Sequence, residues 1–158
     1  MAGVASSGAP VELSGWGLFP RGACHLVEPE SVAELARALD ARGTIPRGLG
    51  RSYGDPAINS GGQVLGLTRL DRFLGFDATT GTLRCEAGVS LSTIIQRFAR
   101  RGWFPMITPG TRHVTVGGCI ANDVHGKGHH AQGSFAESVR SMRIMLADGS
   151  VVSAASLQ

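Results

Sequence analysis

The sequence predicts an α+β fold, and three observations carry that reading. Two segments, 31–43 and 90–102, have helical period between clear start and stop signals. Around them lie short strand-like runs at 44–46, 63–68, 73–77 and 82–87, and an Asp148-Gly149 turn joins two more at 142–146 and 151–154. The helices and strands mix without strict βαβ alternation, which argues against a doubly wound parallel sheet.

Taken in order, residues 1–14 are small and polar and read as a flexible lead-in, with Trp16, Leu18 and Phe19 offering a first docking contact. Pro29-Glu30-Ser31 opens a helix. Ser31 and Glu34 have capping-box spacing, Val32, Leu35, Ala36 and Leu39 recur at helical period, and Gly43 stops it. Thr44-Ile45-Pro46 is a short strand that delivers a glycine-rich loop. The strands 73–77 and 82–87 are joined by a turn around Thr79-Thr80-Gly81. Ser90 caps a second helix, 91–101, with Leu91, Ile94, Ile95 and Phe98 on one face and Gly102 at its end. Pro105, Pro109 and Gly110 break up residues 104–115. Residues 116–123 are apolar with two glycines and read as a short buried helix, and 134–139 as a helical turn.

Composition narrows the function. Of 158 residues, 42% are apolar and 17% charged, enough for one domain with a hydrophobic core. Glycine, 23 residues, is about twice its usual share of ~7%, and without a repeat period it implies special turns and close backbone approaches. The net charge of +3 comes from scattered arginines, and Lys127 is the sole lysine, which argues against nucleic acid as a partner. Cys24, Cys85 and Cys119 are odd in number and lack CxxC spacing, so they predict neither a disulfide framework nor a zinc site. No apolar run approaches the ~18 residues of a membrane span, and no basic, apolar leader is visible. On that basis the expectation is a cytoplasmic protein with no transmembrane segment.

The richest motif is Pro46-Arg47-Gly48-Leu49-Gly50-Arg51-Ser52-Tyr53-Gly54-Asp55. Three glycines and a proline in ten residues forbid a regular helix. Glycine lets successive N–H groups converge, and two guanidinium groups add fixed positive charge, so the stretch describes a phosphate or diphosphate nest. A plain glycine-rich surface loop is the alternative on composition alone, and the Arg-Gly-x-Gly-Arg-Ser run favours the anion. There is no GxxxxGK[ST]. The third glycine of a dinucleotide fingerprint falls one residue late, at 54, and Pro56 with Asn59-Ser60-Gly61-Gly62 forbids the helix such a loop must open.

A second constellation runs through Thr108-Pro109-Gly110-Thr111-Arg112 and Thr115-Val116-Gly117-Gly118-Cys119 to Asn122, His125 and Lys127. Gly117-Gly118 at a helix start offers amide donors to an anion; a tight contact that merely needs small residues is the competing reading. His113, His125, His129 and His130 raise a metal, but Gly126, Gly128 and Gly133 make the helix that would align His125 and His129 improbable, so no metal is expected. A Cys119–His125 nucleophile pair is weaker still, since Cys119 sits in the apolar run.

Together these residues resemble the flavoenzyme family of vanillyl-alcohol oxidase, whose FAD-binding domain is of the PCMH type. The likeness rests on the 46–55 loop, Pro109-Gly110-Thr111-Arg112, Val114-Thr115-Val116-Gly117-Gly118, and His125-Gly126-Lys127 with His129-His130. Gly133-Ser134-Phe135, Val139-Arg140-Ser141-Met142 and Ala147-Asp148-Gly149 extend it, so that it runs from about Val27 onward. Within the family it is greatest to the branch that acts on decaprenylphosphoryl-β-D-ribose.

The resemblance implies two small αβ subdomains with mixed and antiparallel sheets over 15–158, incomplete at the C-terminal end and without the substrate domain. It implies that Arg47, Gly48, Leu49, Gly50, Arg51, Ser52, Tyr53, Gly54 and Asp55 cradle the FAD diphosphate. Gly110, Thr111, Thr115, Val116, Gly117 and Gly118 would line the cofactor from the other side, with Asn122 and His125 near the isoalloxazine ring. Lys127 would face a lipid-linked or small-molecule sugar, and His125 and Lys127 are the catalytic candidates. The implied reaction oxidises a ribose 2′-hydroxyl to a ketone, with hydride passing to flavin N5. Arg51 stands where many relatives carry a flavin-linked histidine, so the FAD is expected to be non-covalent; Asn122 replaces a usual cysteine. A non-catalytic fragment that needs a partner chain or further domain, and an alditol or sugar-lactone oxidase, are the alternatives. A lipid-linked substrate would allow a membrane-associated or periplasmic setting.

Overall fold

Every residue of Gln63–Gly66 is buried, and a strand hidden on both faces needs hydrogen-bonding neighbours on both sides. The computed structural model, which describes residues 9–39 and 43–155, supplies them. The strands are β1 (Val11–Ser14), β2 (Arg21–Val27), β3 (Thr44–Arg47) and β4 (Gln63–Gly66), in the sheet order β1-β2-β4-β3. β4 runs parallel to both neighbours, with Val64 opposite Leu26 and Ile45, while β1 is antiparallel to β2. The described residues divide into two units, one of those up to Leu70 with Ile144–Val152, the other of Asp71–Arg143 with 153–155.

In the first unit, helix α1 (Val32–Ala38) starts where its capping signals lie. Ser31 Oγ accepts from the Glu34 N–H at 3.2 Å, and the Glu34 carboxylate accepts from the Glu30 N–H at 2.9 Å. The helix closes earlier than its period suggests, because Leu39 has extended backbone; no residue of it is fully buried. The Gln63 amide, buried, donates to Ala38 O and Thr44 Oγ1, tying the helix end to the sheet. Two expectations are corrected here. Val11–Ser14, taken as the end of the lead-in, is a paired strand; residues 1–8 lie outside the described residues. β2 carries no apolar signal at its start because its first two inward positions are Gly22 and Cys24, and a side chain at Gly22 would run into Ser60 and Ile58. The predicted strand at 63–68 ends at Gly66, and Leu67–Arg69 is a 3₁₀ turn.

The second unit is built on β5 (Phe73–Asp77), β6 (Thr82–Cys85) and α2 (Leu91–Phe98). β5 and β6 pair antiparallel around the predicted turn, where Asp77 accepts from the Thr79 N–H at 2.8 Å. Phe98 meets Phe73 edge-on at 5.4 Å and Phe76 at 4.5 Å, and Phe76 meets Trp103 at 5.8 Å. Gly81 is required there: its φ is +70°, and a Cβ would lie 2.3 Å from the Trp103 ring. Ser90 caps α2, a 3₁₀ turn Ala99–Arg101 follows, and left-handed Gly102 ends it. Helices α3 (Val116–Ala121) and α4 (His129–Gln132) lie beyond. Leu91, Ile107, Cys119 and Phe135 form the buried core, with Ile94, Val114, Val116, Ile120, Val124 and Val139 packed against it. Of α3 itself only Cys119 is buried, so the expected buried helix is a half-exposed one. β7 (Ser141–Met145) and β8 (Val151–Ala155) form the expected two-stranded sheet, turned by Gly149 at φ +84° and by Asp148, which accepts from the Ser150 N–H.

One polar lock holds the entry to this unit. The buried Glu86 carboxylate accepts from Arg72 through its N–H at 2.8 Å and its Nη2 at 2.6 Å, while the Glu86 N–H donates to Arg72 O at 3.0 Å. The Arg72 hydrogen bond holds the Glu86 carboxyl below its usual range despite burial. A carboxyl whose folded value is lowered adds stability above its unfolded value, about pH 4.3, and loses it as pH falls through the folded value. Glu86→Gln is therefore expected to lower the thermal midpoint at pH 7, with the gap to the parent closing as the pH drops below about 4. Denaturation followed across that range reads it, and a gap independent of pH would refute the charge-based account.

Candidate functional site

The 46–55 motif begins on β3 and leaves the sheet at Gly48 with no regular structure after it. Arg47 turns back beneath the loop it starts. Its Nη1 donates to Ala57 O at 3.0 Å and its Nη2 to Ser14 O at 2.7 Å. Burial lowers its pKa; Cys24 raises it by a smaller amount, and the neighbouring Arg51 charge lowers it further. Gly50, at φ +65°, leaves it room: a Cβ there would lie 2.2 Å from Arg47 Nη2. Gly54 also has positive φ, +67°. Among the described residues, no protein oxygen accepts from the N–H groups of residues 49–55, which leaves seven backbone donors without a protein acceptor, six on residues with exposed surface and one on buried Gly50. Arg51 is exposed; its Nη1 donates to Leu49 O at 2.9 Å, and its guanidinium lies 5.2 Å from the centre of the Trp16 ring. Tyr53 is 78% exposed. Of the expected docking trio, only Trp16 touches the loop; Leu18 and Phe19 are open to solvent.

Around Gly117-Gly118 the outcome is different. The Val116 N–H donates to Val89 O and the Gly117 N–H to Ala87 O, each at 2.8 Å, and the Gly118 N–H donates to Thr115 Oγ1 at 3.2 Å. The amides expected to be free for an anion are therefore taken by the chain itself. Gly117 is small because a Cβ would lie 2.9 Å from that of Ala87. The competing reading, a close packing contact, is the one the geometry bears out, and these residues can offer a ligand a wall but not those donors. Thr115 is buried as the N-cap of α3.

Asn122 is exposed, its Nδ2 donating to Gly118 O at 2.8 Å. Asp123, at φ +40°, turns the chain. Hydrogen bonds from Ser134 and the Ala136 N–H hold its carboxyl below its usual range. This turn brings Gly126 so close to Thr108 that a Cβ would lie 2.2 Å from Thr108 O. The approach shapes an open depression of about 320 Å³ whose walls include Thr108, Gly110, Gly126, Lys127, His129 and Gln132. Lys127 and Gly110 thus share one cavity. His125 lies on the adjoining turn, its ring 5.3 Å from that of His129, edge to face. A single helical turn forms at His129–Gln132, but it begins after His125, so no helix holds both rings on one face. Among the described residues there is no group of three or more His, Cys, Asp or Glu arranged to hold a metal.

A mixed sheet that ends in a loop of open amides beside guanidinium groups defines a nucleotide-cofactor domain. A family description, "FAD binding domain", fits residues 23–155. The decaprenylphosphoryl-beta-D-ribose oxidase of Mycolicibacterium smegmatis is 41% identical over 145 residues, which are 88% of this chain and 32% of that protein. The D-lactate dehydrogenase of Anaerostipes hadrus is 28% identical over 133 residues, 80% of this chain and 28% of that one. A solved Physcomitrella patens BBE-like 1 variant shares the fold, with a TM-score of 0.77 at 22% identity over 89% of this chain and 32% of its own. The chain belongs to the FAD-binding domain family of vanillyl-alcohol-oxidase-type flavoproteins. It carries that FAD-binding domain and spans about a third of the length of the two curated relatives named above. The residues fit that cofactor: seven open amides, left-handed Gly50 and Gly54, and two guanidinium groups suit a diphosphate. No helix among the described residues is long and apolar enough to cross a membrane.

The Cys119–His125 alternative fails on chemistry. Cys119 is fully buried and desolvation pushes its thiol up to about 12; Cys85, half-buried, is pushed up to about 11, by burial first and then by Glu86. Thiols so far from thiolate are poor nucleophiles. In the folded protein at pH 8, iodoacetamide is expected to leave Cys119 unlabelled and to label it promptly in urea, as read by mass spectrometry. Fast native labelling at Cys119 would reopen the nucleophile reading.

Proposed function

We propose that this chain is the FAD-holding part of an oxidoreductase that oxidises a sugar hydroxyl, of the kind that converts the ribose 2′-hydroxyl of decaprenylphosphoryl-β-D-ribose to a ketone. The observation that carries this reading is the 41% identity, sustained over 88% of the chain, to a protein named for that substrate. FAD, when bound, supplies the two-electron redox chemistry; the protein binds, orients and balances charge. In the first unit the amides of residues 49–55 take the diphosphate, with Gly48 leading in, Arg51 adding charge and Arg47 fixing the loop from below. Ser52, Tyr53 and Asp55 complete that contact surface. In the second unit Gly110, Thr111, Thr115, Val116, Gly117 and Gly118 give a small-residue wall, and Asn122 presents its amide oxygen.

We assign His125 and Lys127 to the substrate side. Lys127 Nζ, on the rim of the cavity, meets the phosphate or ribose oxygens of a lipid-linked sugar, and the exposed His125 imidazole orients the hydroxyl through a ring nitrogen. A guanidinium is no nucleophile at neutral pH, so Arg51 supports non-covalent FAD. Completion of the pocket falls to a further domain or partner chain, since turnover needs a water-excluding site.

Purified protein mixed with FAD and desalted is expected to keep the flavin absorption, and acid precipitation is expected to release all of it to the supernatant. Gly50→Val is expected to lose flavin while its circular dichroism stays native. Retention by Gly50→Val would sink the loop assignment, and flavin in the acid pellet would sink the non-covalent one. With the completing domain or chain supplied, decaprenylphosphoryl ribose is expected to bleach the FAD-loaded protein anaerobically where D-lactate does not; the reverse order would sink the substrate class.

A further inference from the structure

We infer that Ser14, Gly15 and Trp16, which precede the stretch fitted by the family description at 23–155, are the positioning element of the diphosphate loop. The inference rests on reading residues 47–55 as that loop. Four separate contacts converge on it from three consecutive residues. Ser14 O accepts from Arg47 Nη2 at 2.7 Å. Gly15 is buried, and a Cβ there would lie 2.5 Å from both Ser52 O and Gly54 O. The Trp16 N–H donates to Ser52 O at 2.8 Å. The Arg51 guanidinium carbon lies 5.2 Å from the centre of the Trp16 ring, within cation–π range. Pairing of β1 with β2, Ser14 opposite Arg21, anchors the segment to the sheet.

The consequence follows from peptide geometry. In a trans peptide the C=O and the next N–H point in opposite directions. Trp16 holds the Ser52 carbonyl, and so the Tyr53 N–H is turned away from Trp16. Arg51 Nη1 holds the Leu49 carbonyl, and so the Gly50 N–H is turned away from that guanidinium; Trp16 in turn holds Arg51. Two of the seven open amides are therefore aimed by one tryptophan, one directly and one through Arg51. A glycine-rich loop without such a brace would lose more conformational entropy on closing around an anion. Trp16 needs no contact with the ligand to do this; it is a positioning residue.

The test is FAD binding by flavin-fluorescence titration, with ADP as a competitor that carries the diphosphate without the flavin. Trp16→Leu keeps apolar bulk and removes the π face. It is expected to weaken FAD about fivefold, and ADP by the same factor. Trp16→Phe, which restores a ring face, is expected to bind nearly as the parent does. Gly15→Ala, which forces the segment off Ser52 and Gly54, is expected to weaken both ligands more than Trp16→Leu. If Trp16→Leu binds FAD as the parent does while Gly50→Val loses it, the inference falls and the loop assignment stands. If Gly50→Val also binds FAD, the loop assignment falls and takes the inference with it. Loss of FAD affinity with ADP competition unchanged, or a Trp16→Phe variant as weak as Trp16→Leu, overturns the inference as well.

Discussion

A half-buried guanidinium is a demanding guest: it stays charged, and its N–H groups must find oxygens once water is withdrawn. Arg47 meets that demand with the carbonyls of Ser14 and Ala57, thirty-three and ten residues away. Much of the first unit is arranged around this solution. β1 must pair with β2 to bring Ser14 within reach, and the loop must come back through Ala57. Gly50 must lack a side chain so that the guanidinium can lie under it. The loop's outward amides are in this sense a by-product of satisfying one arginine inward. Positive charge is thereby held beneath the loop proposed as a diphosphate cradle, with the guanidinium facing the chain's own carbonyls.

The second unit obeys a different constraint. Its segment at 112–117 is laced to 87–92 by backbone bonds: Leu91 N–H to Val114 O, Ser92 N–H to Arg112 O, Val116 N–H to Val89 O and Gly117 N–H to Ala87 O. Those bonds consume the first-turn donors of α3 and leave Gly117 pressed on Ala87. What this unit can offer a cofactor is therefore shape, together with the open depression that Lys127 and Gly110 share. The close approach of Gly126 to Thr108 makes that depression, and Asp123 keeps the intervening turn in place through Ser134 and Ala136. The first unit offers donors, and the second offers surfaces.

Much of the architecture is legible in the chain itself because its signals are local. Ser31, Ser90 and Thr115 each bond an amide three residues on, Gly102 sits in the left-handed position that ends a helix, and Asp148-Gly149 turns a hairpin. The anion loop is legible for the same reason: glycine spacing and paired arginines lie within ten residues. β2 is not, since its inward Gly22 and Cys24 lack apolar bulk and its partners are distant in sequence. The Gly15-Trp16-Gly17 run held a usable hint, a glycine demanded by close approach, but its partners Ser52 and Gly54 lie far along the sequence.

By itself, then, the sequence determined the α+β class and the starts of the two longer helices, along with its likeness to FAD-binding flavoproteins. Each of these depends on residues that interact within a turn or two. Only the tertiary structure decided which amides stay open. Hydrogen-bond satisfaction is a global property: whether Gly117 N–H is free depends on Ala87, and whether the loop is braced depends on Ser14 and Trp16. A motif can name donors, but the fold determines which of them are left for a ligand.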